Sequence, residues 1–594
     1  MEVLSDQTWT GREGSIVHDS IYRGEMYDSR RDRLNWTQVG FNDSLSAWIM
    51  PESLPSPVDP TQNGTLVLQD MPPIRAGSDA LHFETTISGE QQEYLHRKEI
   101  GEIRGASLAN GGIIKPVHDI TFDLGQNFAG WCRCKFNGPR GVSVFIRHAE
   151  ILTQPLMSTN PQRDERLGWM GDAALSVDEA LYNFDFIKMF LNFLNLIVDV
   201  QLSNGAVPNY VPGYYFPPDP NWGTALPTIT WQLYRHYGDV RILETYYDHV
   251  RAYVEYIRSD YNSKGLGNLT YLFGDWVPPP PQPMTDQHLT SSFGFLHDVS
   301  LLINMSQVLG KTNDTQTYST LYQHLAEEFH RTFYTSASNF YDDGLQAAQI
   351  LALALPNVVP MNVRGAVFDH LVADISEKGT HVSTGIIATA QLYPLLSDNG
   401  YHDLALELIS SVTYPSYGFM FMNPFENATT LWETWSTPYD GPNSVSRNHI
   451  MFGSVGAWFY SHLAGLHLSS DMITIRPRMA SESKKYLMSK INCQLSTLHG
   501  LIHVSYTRDE HDTIIANSIL LRVTIPPNTK ARVVFEPLFV GARCAILLEG
   551  DQVIWSPDTD INTGKIFLVE RDSATNLMTV YVGSGQYTFK ASWY

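Results

Sequence analysis

Hydrophobic and polar positions repeat with a helical period through the middle of the chain. From about residue 165 to residue 467, apolar residues return every three to four positions, as in LPTITWQLYRHYG and VRILETYYDHVRAYVEYIRSDY. Gly238 ends the first of these runs, and Asp239 stands where a side chain would cap the next helix. Some runs are amphipathic and others are apolar throughout, which predicts an outer and an inner layer of helices, that is, an α/α barrel.

Further runs in this region carry the same signal. The stretch LSVDEALYNFDFIKMFLNFLNLIVDVQ, residues 175–201, is apolar all round and predicts one buried helix. The other predicted helices are SFGFLHDVSLLINMSQVLG, TQTYSTLYQHLAEEFHRTFY, VRGAVFDHLVADISEKG, TGIIATAQLYPLLSDNG, HDLALELISSV and HIMFGSVGAWFYSHLAGL. No motif recurs at one fixed period, which argues against a solenoid of short repeats.

Alternating, β-branched runs lie on both sides of the helical region. GTLVLQ and DITFDLG come before it, and LRVTIPPNTKARVVF, AILLEG, QVIWSP and MTVYVGSGQYTFKA come after it. We therefore predict three domains: an N-terminal β-sandwich at 1–152, whose start is truncated if a longer protein precedes it, an α/α barrel at 153–467 and a C-terminal β-sandwich at 468–594.

Composition narrows the class of partner. The 594 residues include 43% hydrophobic and 17% charged residues, with 13 Trp, 30 Tyr and 27 Phe, which is typical of a globular protein rich in aromatic side chains. The formal net charge of −22 disfavours nucleic acids and acidic membrane surfaces and favours a neutral substrate. Four cysteines, of which Cys132 and Cys134 lie two apart, predict neither a disulfide framework nor a metal site.

The sequence leaves the compartment open. The polar start MEVLSDQTWTGREG predicts no signal peptide, and the most apolar segment, 186–200, is too short and too often interrupted to span a membrane. We expect a soluble protein, cytoplasmic or, if the start is truncated, secreted. Seven Asn-x-Ser/Thr triplets would permit glycosylation in a secretory pathway.

Acids and aromatics occur together in a loop that precedes the first long helix, NPQRDERLGWMGD. Glu165 beside an aromatic wall could serve as a general acid, because desolvation raises the proton affinity of a carboxylate. Asp172 would then hold a sugar hydroxyl and Trp169 would line the pocket. The alternatives are a salt bridge from Glu165 to Arg163 or Arg166, a helix cap at Asp172 and a packing role for Trp169.

A second acid lies between tryptophans. Glu433 in LWETW stands between Trp432 and Trp435 and could be the general base that activates water, or a structural glutamate. His449 could bond to it or to substrate, and Asp275 in GDWVP could position a hydroxyl or stabilise a turn. Glycoside hydrolysis requires two carboxylates, about 6.5–9.5 Å apart when the enzyme inverts the anomeric centre.

Together these motifs resemble the bacterial and fungal α-L-rhamnosidases of glycoside hydrolase family 78, and the resemblance runs almost end to end. The β segments that carry it are GEMYDSR, PPIR, FDLGQNFAGW and GPRGVSVFIRHAEIL. The helical segments are RDERLGWMGDA, GDW, STG, YPSYGFM, TTLWETW and NHIMFGSVGAW. So many motifs in order are far more specific than any one of them.

The resemblance implies an (α/α)6 barrel, an N-terminal and a C-terminal β-sandwich, and hydrolysis of terminal α-L-rhamnosides with inversion. Glu165 would be the general acid and Glu433 the general base. The expected substrate contacts are Asn160, Arg163, Asp164, Trp169, Asp172, Trp222, Asp275, Trp276, Trp432, Trp435 and His449. No metal and no cofactor is implied, and the partner is a glycoside or oligosaccharide that carries rhamnose.

Two positions depart from the family pattern. Thr159-Asn160-Pro161 stands where the family usually has Asp-Cys-Pro, and Thr224 stands where it often has the Asp of Trp-Gly-Asp. Both proposed catalytic glutamates remain. The departures leave two alternatives: a hydrolase of the same fold that acts on another sugar, and a non-catalytic carbohydrate-binding relative. The additional N-terminal sandwich domains of longer members are expected to be absent or shortened.

Overall fold

The computed structural model describes residues 14–20, 24–31, 167–213, 217–269, 272–426, 428–440, 445–469, 472–509, 518–537, 542–557, 559–560 and 566–593. The described residues before position 73, with Leu167 and Gly168, form one compact unit, and those from Trp169 onward form another. The first unit contains an antiparallel pair of strands, β1 (Ile16–Ser20) and β2 (Gly24–Tyr27), followed by a 3-10 turn. The rest of the predicted N-terminal β domain lies outside the described residues.

The second unit begins with helices. Within the described residues they are α1 (Met170–Asn183), α2 (Ile187–Asp199), α3 (Pro220–Gly223), α4 (Ala225–Tyr237), α5 (Val240–Lys264), α6 (Gln287–Val308), α7 (Thr312–Phe333), α8 (Gln346–Ala354), α9 (Met361–Glu377), α10 (Ile386–Asp398), α11 (His402–Ser410), α12 (Tyr417–Met422), α13 (Thr437–Asp440) and α14 (Val455–Trp458). A short hairpin of β3 (Tyr334–Thr335) and β4 (Phe340–Tyr341) separates α7 from α8. No helix in these ranges is both long and apolar enough to cross a bilayer.

The helices form two layers. Helices α1, α4, α6, α8, α10 and α14 each pack against the next, and α14 packs against α1, so these six close a ring. Helices α5, α7, α9 and α11 pack on the outside of this ring. Burial differs between α8, in the ring, and α7, outside it: nearly every side chain of α8 is buried, whereas α7 buries one face. The contrast between α8 and α7 agrees with the predicted mixture of apolar and amphipathic helices, although α4 belongs to the ring and buries only one face.

Three helix predictions have specific outcomes. Gly238 ends α4 with φ 69°, and the Asp239 carboxylate accepts a hydrogen bond from the Arg241 amide at 3.0 Å, as the capping pattern predicted. The single helix predicted at 175–201 is wrong, because the chain becomes extended at Phe184 and resumes as α2. The segment expected as one helix at the end of the barrel region is a 3-10 turn, then α14, then a π-helical turn.

Two sheets follow the helices. Their strands are β5 (Leu466–His467), β6 (Ile473–Ile475), β7 (Lys490–Thr497), β8 (Gly500–Asp509), β9 (Ser518–Ile525), β10 (Ala531–Phe535), β11 (Cys544–Glu549), β12 (Gln552–Ser556), β13 (Thr559–Asp560), β14 (Ile566–Arg571), β15 (Met578–Val582) and β16 (Gly585–Trp593). One sheet has the order β14-β15-β10-β6-β5, and the other has the order β13-β12-β11-β16-β9-β8-β7. Neighbours are antiparallel except β6 and β10. Both sheets contribute to one hydrophobic core, separate from that of the helices.

Polar contacts join the helical ring to the sheets. The Tyr182 hydroxyl, at the end of α1, donates to the Leu466 carbonyl at 2.9 Å, and its ring stacks on Tyr460 at 4.8 Å. The guanidinium of Arg478 pairs with Asp398, at the end of α10, at 2.7 Å. These contacts hold the sheets at the C-terminal ends of α1 and α10. The candidate site is therefore expected at the N-terminal ends of these helices.

Candidate active site

The candidate residues come together where the inner helices begin. Trp169 precedes α1, Trp222 lies just before α4, and Asp275 precedes α6. The irregular segment before α14 carries Glu433 and His449. Loops and element ends on a rigid scaffold are where functional side chains concentrate, and the contacts between these segments make one site of them.

His449 connects two of the predicted acids. Its Nε2 lies 2.9 Å from Oδ1 of Asp172, and its Nδ1 lies 3.8 Å from Oε2 of Glu433, the second distance being too long for a hydrogen bond. The imidazole is almost fully buried, whereas the Glu433 side chain is 21% exposed. Asp172 is not the cap of α1, because Trp169 holds that position and Asp172 lies in the first turn. The helix-cap alternative for Asp172 is therefore wrong.

Glu433 is held by the segment that carries His449. Its amide donates to the Ser446 carbonyl at 3.0 Å, and its Oε2 accepts from the Ser446 amide at 3.0 Å. The His449 amide donates to the Leu431 carbonyl at 2.8 Å. These bonds set the two stretches side by side, so the carboxylate and the imidazole have a fixed relation.

An ion pair between Arg447, which follows Ser446, and Glu426 supports this arrangement. The Arg447 Nε lies 2.6 Å from Oε1 of Glu426, and its Nη2 lies 3.3 Å from Oε2, so the guanidinium fork grips both carboxylate oxygens. The Arg447 side chain is 5% exposed. Neither residue could be selected from the sequence, because an arginine and a glutamate 21 positions apart carry no local signal.

Four aromatic side chains form what we call the aromatic wall: Trp169, Trp222, Phe273 and Trp276. Phe273 is central, with ring centroids 5.6 Å from Trp169, 4.3 Å from Trp222 and 6.0 Å from Trp276. The Trp169 Nε1 is buried and makes no hydrogen bond in the part of the chain that the structure describes. Aromatic faces are suited to the apolar face of a sugar ring. Phe273 could not be selected from the sequence, because the sequence does not distinguish a phenylalanine that lines a site from one that packs in the core.

Asp275 is engaged by backbone groups. Its carboxylate is fully buried and accepts the amides of Gly385 at 2.7 Å, Ile387 at 2.9 Å and Ala388 at 3.0 Å. Burial raises the pKa of Asp275 to about 6, against the lowering effect of these three bonds. A Cβ at position 385 would lie 2.3 Å from the carbonyl oxygens of Asp275 and Trp276, so only glycine fits there. These contacts favour the structural alternative for Asp275, as a cap for α10, over a direct bond to a sugar hydroxyl.

Trp432 and Trp435 are core residues in this structure. Each is 1% exposed. The Trp435 Nε1 donates to the Thr384 carbonyl at 2.9 Å, and its ring packs 4.2 Å from Phe452. These contacts favour packing behind the site over stacking on substrate.

The remaining predicted residues divide in two. Asn160, Arg163, Asp164 and Glu165 lie outside the described residues. Thr224, one of the departures, donates from its hydroxyl to Oδ1 of buried Asp298 at 2.5 Å. A carboxylate therefore lies beside position 224, where the family often has an aspartate, but it belongs to Asp298 of α6.

Three family models match the chain. Residues 156–463 match the bacterial α-L-rhamnosidase 6 hairpin glycosidase domain, residues 1–78 match the α-L-rhamnosidase N-terminal domain, and residues 115–167 match the bacterial α-L-rhamnosidase concanavalin-like domain. The chain belongs to the α-L-rhamnosidases of glycoside hydrolase family 78. This confirms the resemblance found in the sequence.

Relatives of the rhamnosidase family match over most of this chain. An α-L-rhamnosidase of Formosa agariphila is 30% identical over 89% of this chain and 64% of its own length. The structure of α-L-rhamnosidase from Dictyoglumus thermophilum superposes with a TM-score of 0.63 and 34% identity, over 73% of this chain and 46% of that one. The Streptomyces avermitilis enzyme complexed with L-rhamnose gives a TM-score of 0.61 and 28% identity, over 72% and 38%. The chain spans 56% and 64% of the length of two of the curated relatives that it matches.

Proposed function

We propose that this chain hydrolyses terminal α-L-rhamnosides with inversion at the anomeric carbon. The reaction would take place in an (α/α)6 barrel at 153–467. In chain order, this barrel follows a β-sandwich domain at 1–152 and precedes another at 468–594. The closed ring of six inner helices and the match of a 6 hairpin glycosidase domain at 156–463 support this layout. The observation that carries the proposal is the grouping of Asp172 and Glu433 around the His449 imidazole, with Trp169 of the aromatic wall three residues before Asp172.

Glu433 would act as the general base. Its side chain keeps access to solvent, and the Ser446 amide holds it in one orientation. It would take a proton from water as the water oxygen attacks the anomeric carbon. Glu165 would protonate the departing glycosidic oxygen, so that the aglycone leaves as a neutral alcohol.

The sugar contacts would come from several helix ends. The partly exposed rings of the aromatic wall, Trp169, Phe273 and Trp276, would cover the apolar face of rhamnose, whereas the buried Trp222 would pack behind Phe273. Asp172 would bond to a hydroxyl, and the buried imidazole of His449 would orient it. Asn160, Arg163 and Asp164 remain predicted contacts from the preceding loop. Asp275 would act indirectly, because its two oxygens hold the first turn of α10 against the loop that carries Trp276.

The test is turnover of an aryl α-L-rhamnoside by Glu165→Gln and Glu433→Gln. Each should lose about 10²- to 10⁴-fold in kcat while the thermal unfolding midpoint stays unchanged, because each replaces one proton-transfer group by its isostere. Glu377→Gln, on an exposed side chain at the end of α9, is the control and should keep full activity. Near-normal turnover in either active-site variant would remove that glutamate from its role.

Two further measurements separate the alternatives. Proton NMR of the first-formed sugar reports inversion or retention at the anomeric carbon. A panel of aryl glycosides tests the sugar, and a preference for one other than rhamnose would favour the alternative hydrolase. Rhamnose binding by calorimetry without any turnover would favour the non-catalytic relative.

A further inference from the structure

Two buried polar residues outside the proposed catalytic set join the segments that carry the aromatic wall. They are Asn209 and Asp219, which are 0% and 1% exposed. Both lie in the connection between α2 and α3, where the sequence reads VPNYVP and PPDPNWG. Buried polar groups of this kind are expensive unless they are fully hydrogen-bonded, so their bonds indicate what they hold.

The Asp219 carboxylate bonds to two different segments. Its Oδ1 accepts the amide of Asn221 at 2.9 Å, which caps α3, the short helix that contains Trp222. Its Oδ2 accepts the amide of Phe273 at 3.0 Å. Trp222 and Phe273 are the closest pair of rings in the aromatic wall, at 4.3 Å. One carboxylate thus fixes the backbone beneath both rings.

Asn209 extends the same connection to the third ring. Its Oδ1 accepts the amide of Asp219 at 2.7 Å, and its backbone carbonyl accepts the amide of Met170 at 3.0 Å. Met170 is the first residue of α1 and directly follows Trp169. The three segments that carry Trp169, Trp222 and Phe273 therefore share one hydrogen-bonded connection.

We propose that Asp219 is a positioning residue for rhamnose binding, which it supports by holding Phe273 against Trp222 and Trp169. This rests on the proposed function. Burial raises the pKa of the Asp219 carboxyl, and its hydrogen bonds from the Phe273 and Asn221 amides oppose that rise. These bonds therefore stabilise the charged form of Asp219. A group that served only as a helix cap would need the Asn221 bond and not the Phe273 bond.

Serine at position 219 separates the two roles. Serine is a good helix cap and can still accept from the Asn221 amide, but its single short hydroxyl cannot also reach the Phe273 amide. In Asp219→Ser, KM for an aryl rhamnoside and the Kd for free rhamnose should rise about tenfold, with a smaller change in kcat, because the sugar-binding wall loosens. The near-UV circular dichroism, which reports the packing of the aromatic rings, should weaken.

The matched control is Asp239→Ser, which changes the cap of α5 away from the site. It should leave KM, the Kd for rhamnose and the near-UV spectrum unchanged. Asp219→Asn keeps the shape and one acceptor oxygen, so it should restore part of the rhamnose affinity, and it replaces the serine variant if that one does not fold. Wild-type affinity and spectrum in Asp219→Ser, with a lowered unfolding midpoint alone, would overturn the proposal. Absence of rhamnose binding and turnover in the wild type would instead reject the proposed function, and the near-UV comparison would still test the positioning role.

Discussion

The imidazole of His449 lies 2.9 Å from the carboxylate of Asp172, and this contact joins the first turn of α1 to the segment that carries Glu433. The two residues lie at opposite ends of the helical region in sequence. Their pairing closes the site because α1 and the turn before α14 are neighbours in the ring. A carboxylate on one imidazole nitrogen fixes the ring, and the other nitrogen then points toward Glu433.

We expect Asp172→Asn to lower kcat/KM for an aryl rhamnoside by about 10- to 100-fold, because a charge-assisted hydrogen bond to His449 is replaced by a neutral one. The measurement is steady-state kinetics at one pH. Asp178→Asn is the matched control: Asp178 lies on α1, as Asp172 does, but pairs with His236 of α4 at 2.7 Å, beyond the site. Equal loss of activity in both variants would show that the effect is on α1 as a whole and not on the site.

We expect Arg447→Lys to lower both kcat and the free energy of unfolding, the latter by about 1–3 kcal/mol. Lysine keeps the charge but cannot grip both oxygens of Glu426, and Arg447 is nearly buried. The control is Arg241→Lys in the exposed pair with Asp239, where the arginine is 81% exposed and no measurable change in stability is expected. Denaturant unfolding and kinetics measure the two effects. An unchanged kcat would mean that the ion pair does not control the orientation of Glu433.

Local sequence patterns were sufficient to predict most of the helices in the helical region. Gly238 and Asp239 marked a helix boundary because each acts within its own turn of chain. The break at Phe184 was missed because NFDF contains no glycine or proline and continues the apolar pattern. Helix α8 was missed because QAAQILALA is short and apolar throughout, so its period gives no contrast.

The site was predictable in its residue types and not in its pairings. Acids beside tryptophans marked Glu433 and Asp172, but the bond between Asp172 and His449 depends on the closure of the ring. In the sequence, Asp275 could not be distinguished from an aspartate that binds a sugar. Its three amide partners, which only the structure shows, identify it as a helix cap. The facing of Glu165 and Glu433 stays a prediction, since Glu165 lies outside the described residues.

Asp275 should give the protein a specific pH dependence. Burial raises the pKa of this carboxyl from 3.8 to about 6, so between those values the folded protein holds a proton that the unfolded chain releases. The stabilisation from this group is therefore present below about pH 4 and is lost as the pH rises through about 6. A difference of about two pKa units corresponds to about 3 kcal/mol.

The comparison with Asp275→Asn isolates this effect, because asparagine does not titrate. Asparagine also loses one of the three amide bonds, so the variant is less stable near pH 4. Relative to that variant, the wild type should lose up to about 3 kcal/mol of unfolding free energy between pH 4 and pH 7. Denaturant unfolding at several pH values measures the difference. Parallel curves for the two proteins would contradict the raised pKa.

Gly171→Ala should destabilise the protein although alanine is the better helix former. A Cβ at position 171 would lie 2.7–2.9 Å from three atoms of the Trp222 indole, and Trp222 is buried against Phe273. The ring therefore has to shift, at a cost of up to about 3 kcal/mol, which exceeds the gain of at most about 1 kcal/mol from helix propensity in the first turn. Gly365→Ala, within α9 and with open space around it, should instead stabilise by up to about 1 kcal/mol. Thermal unfolding gives both signs, and rhamnose titration should show weaker binding only in Gly171→Ala. Stabilisation by both alanines would mean that the wall tolerates movement of Trp222 and that its close packing is not needed.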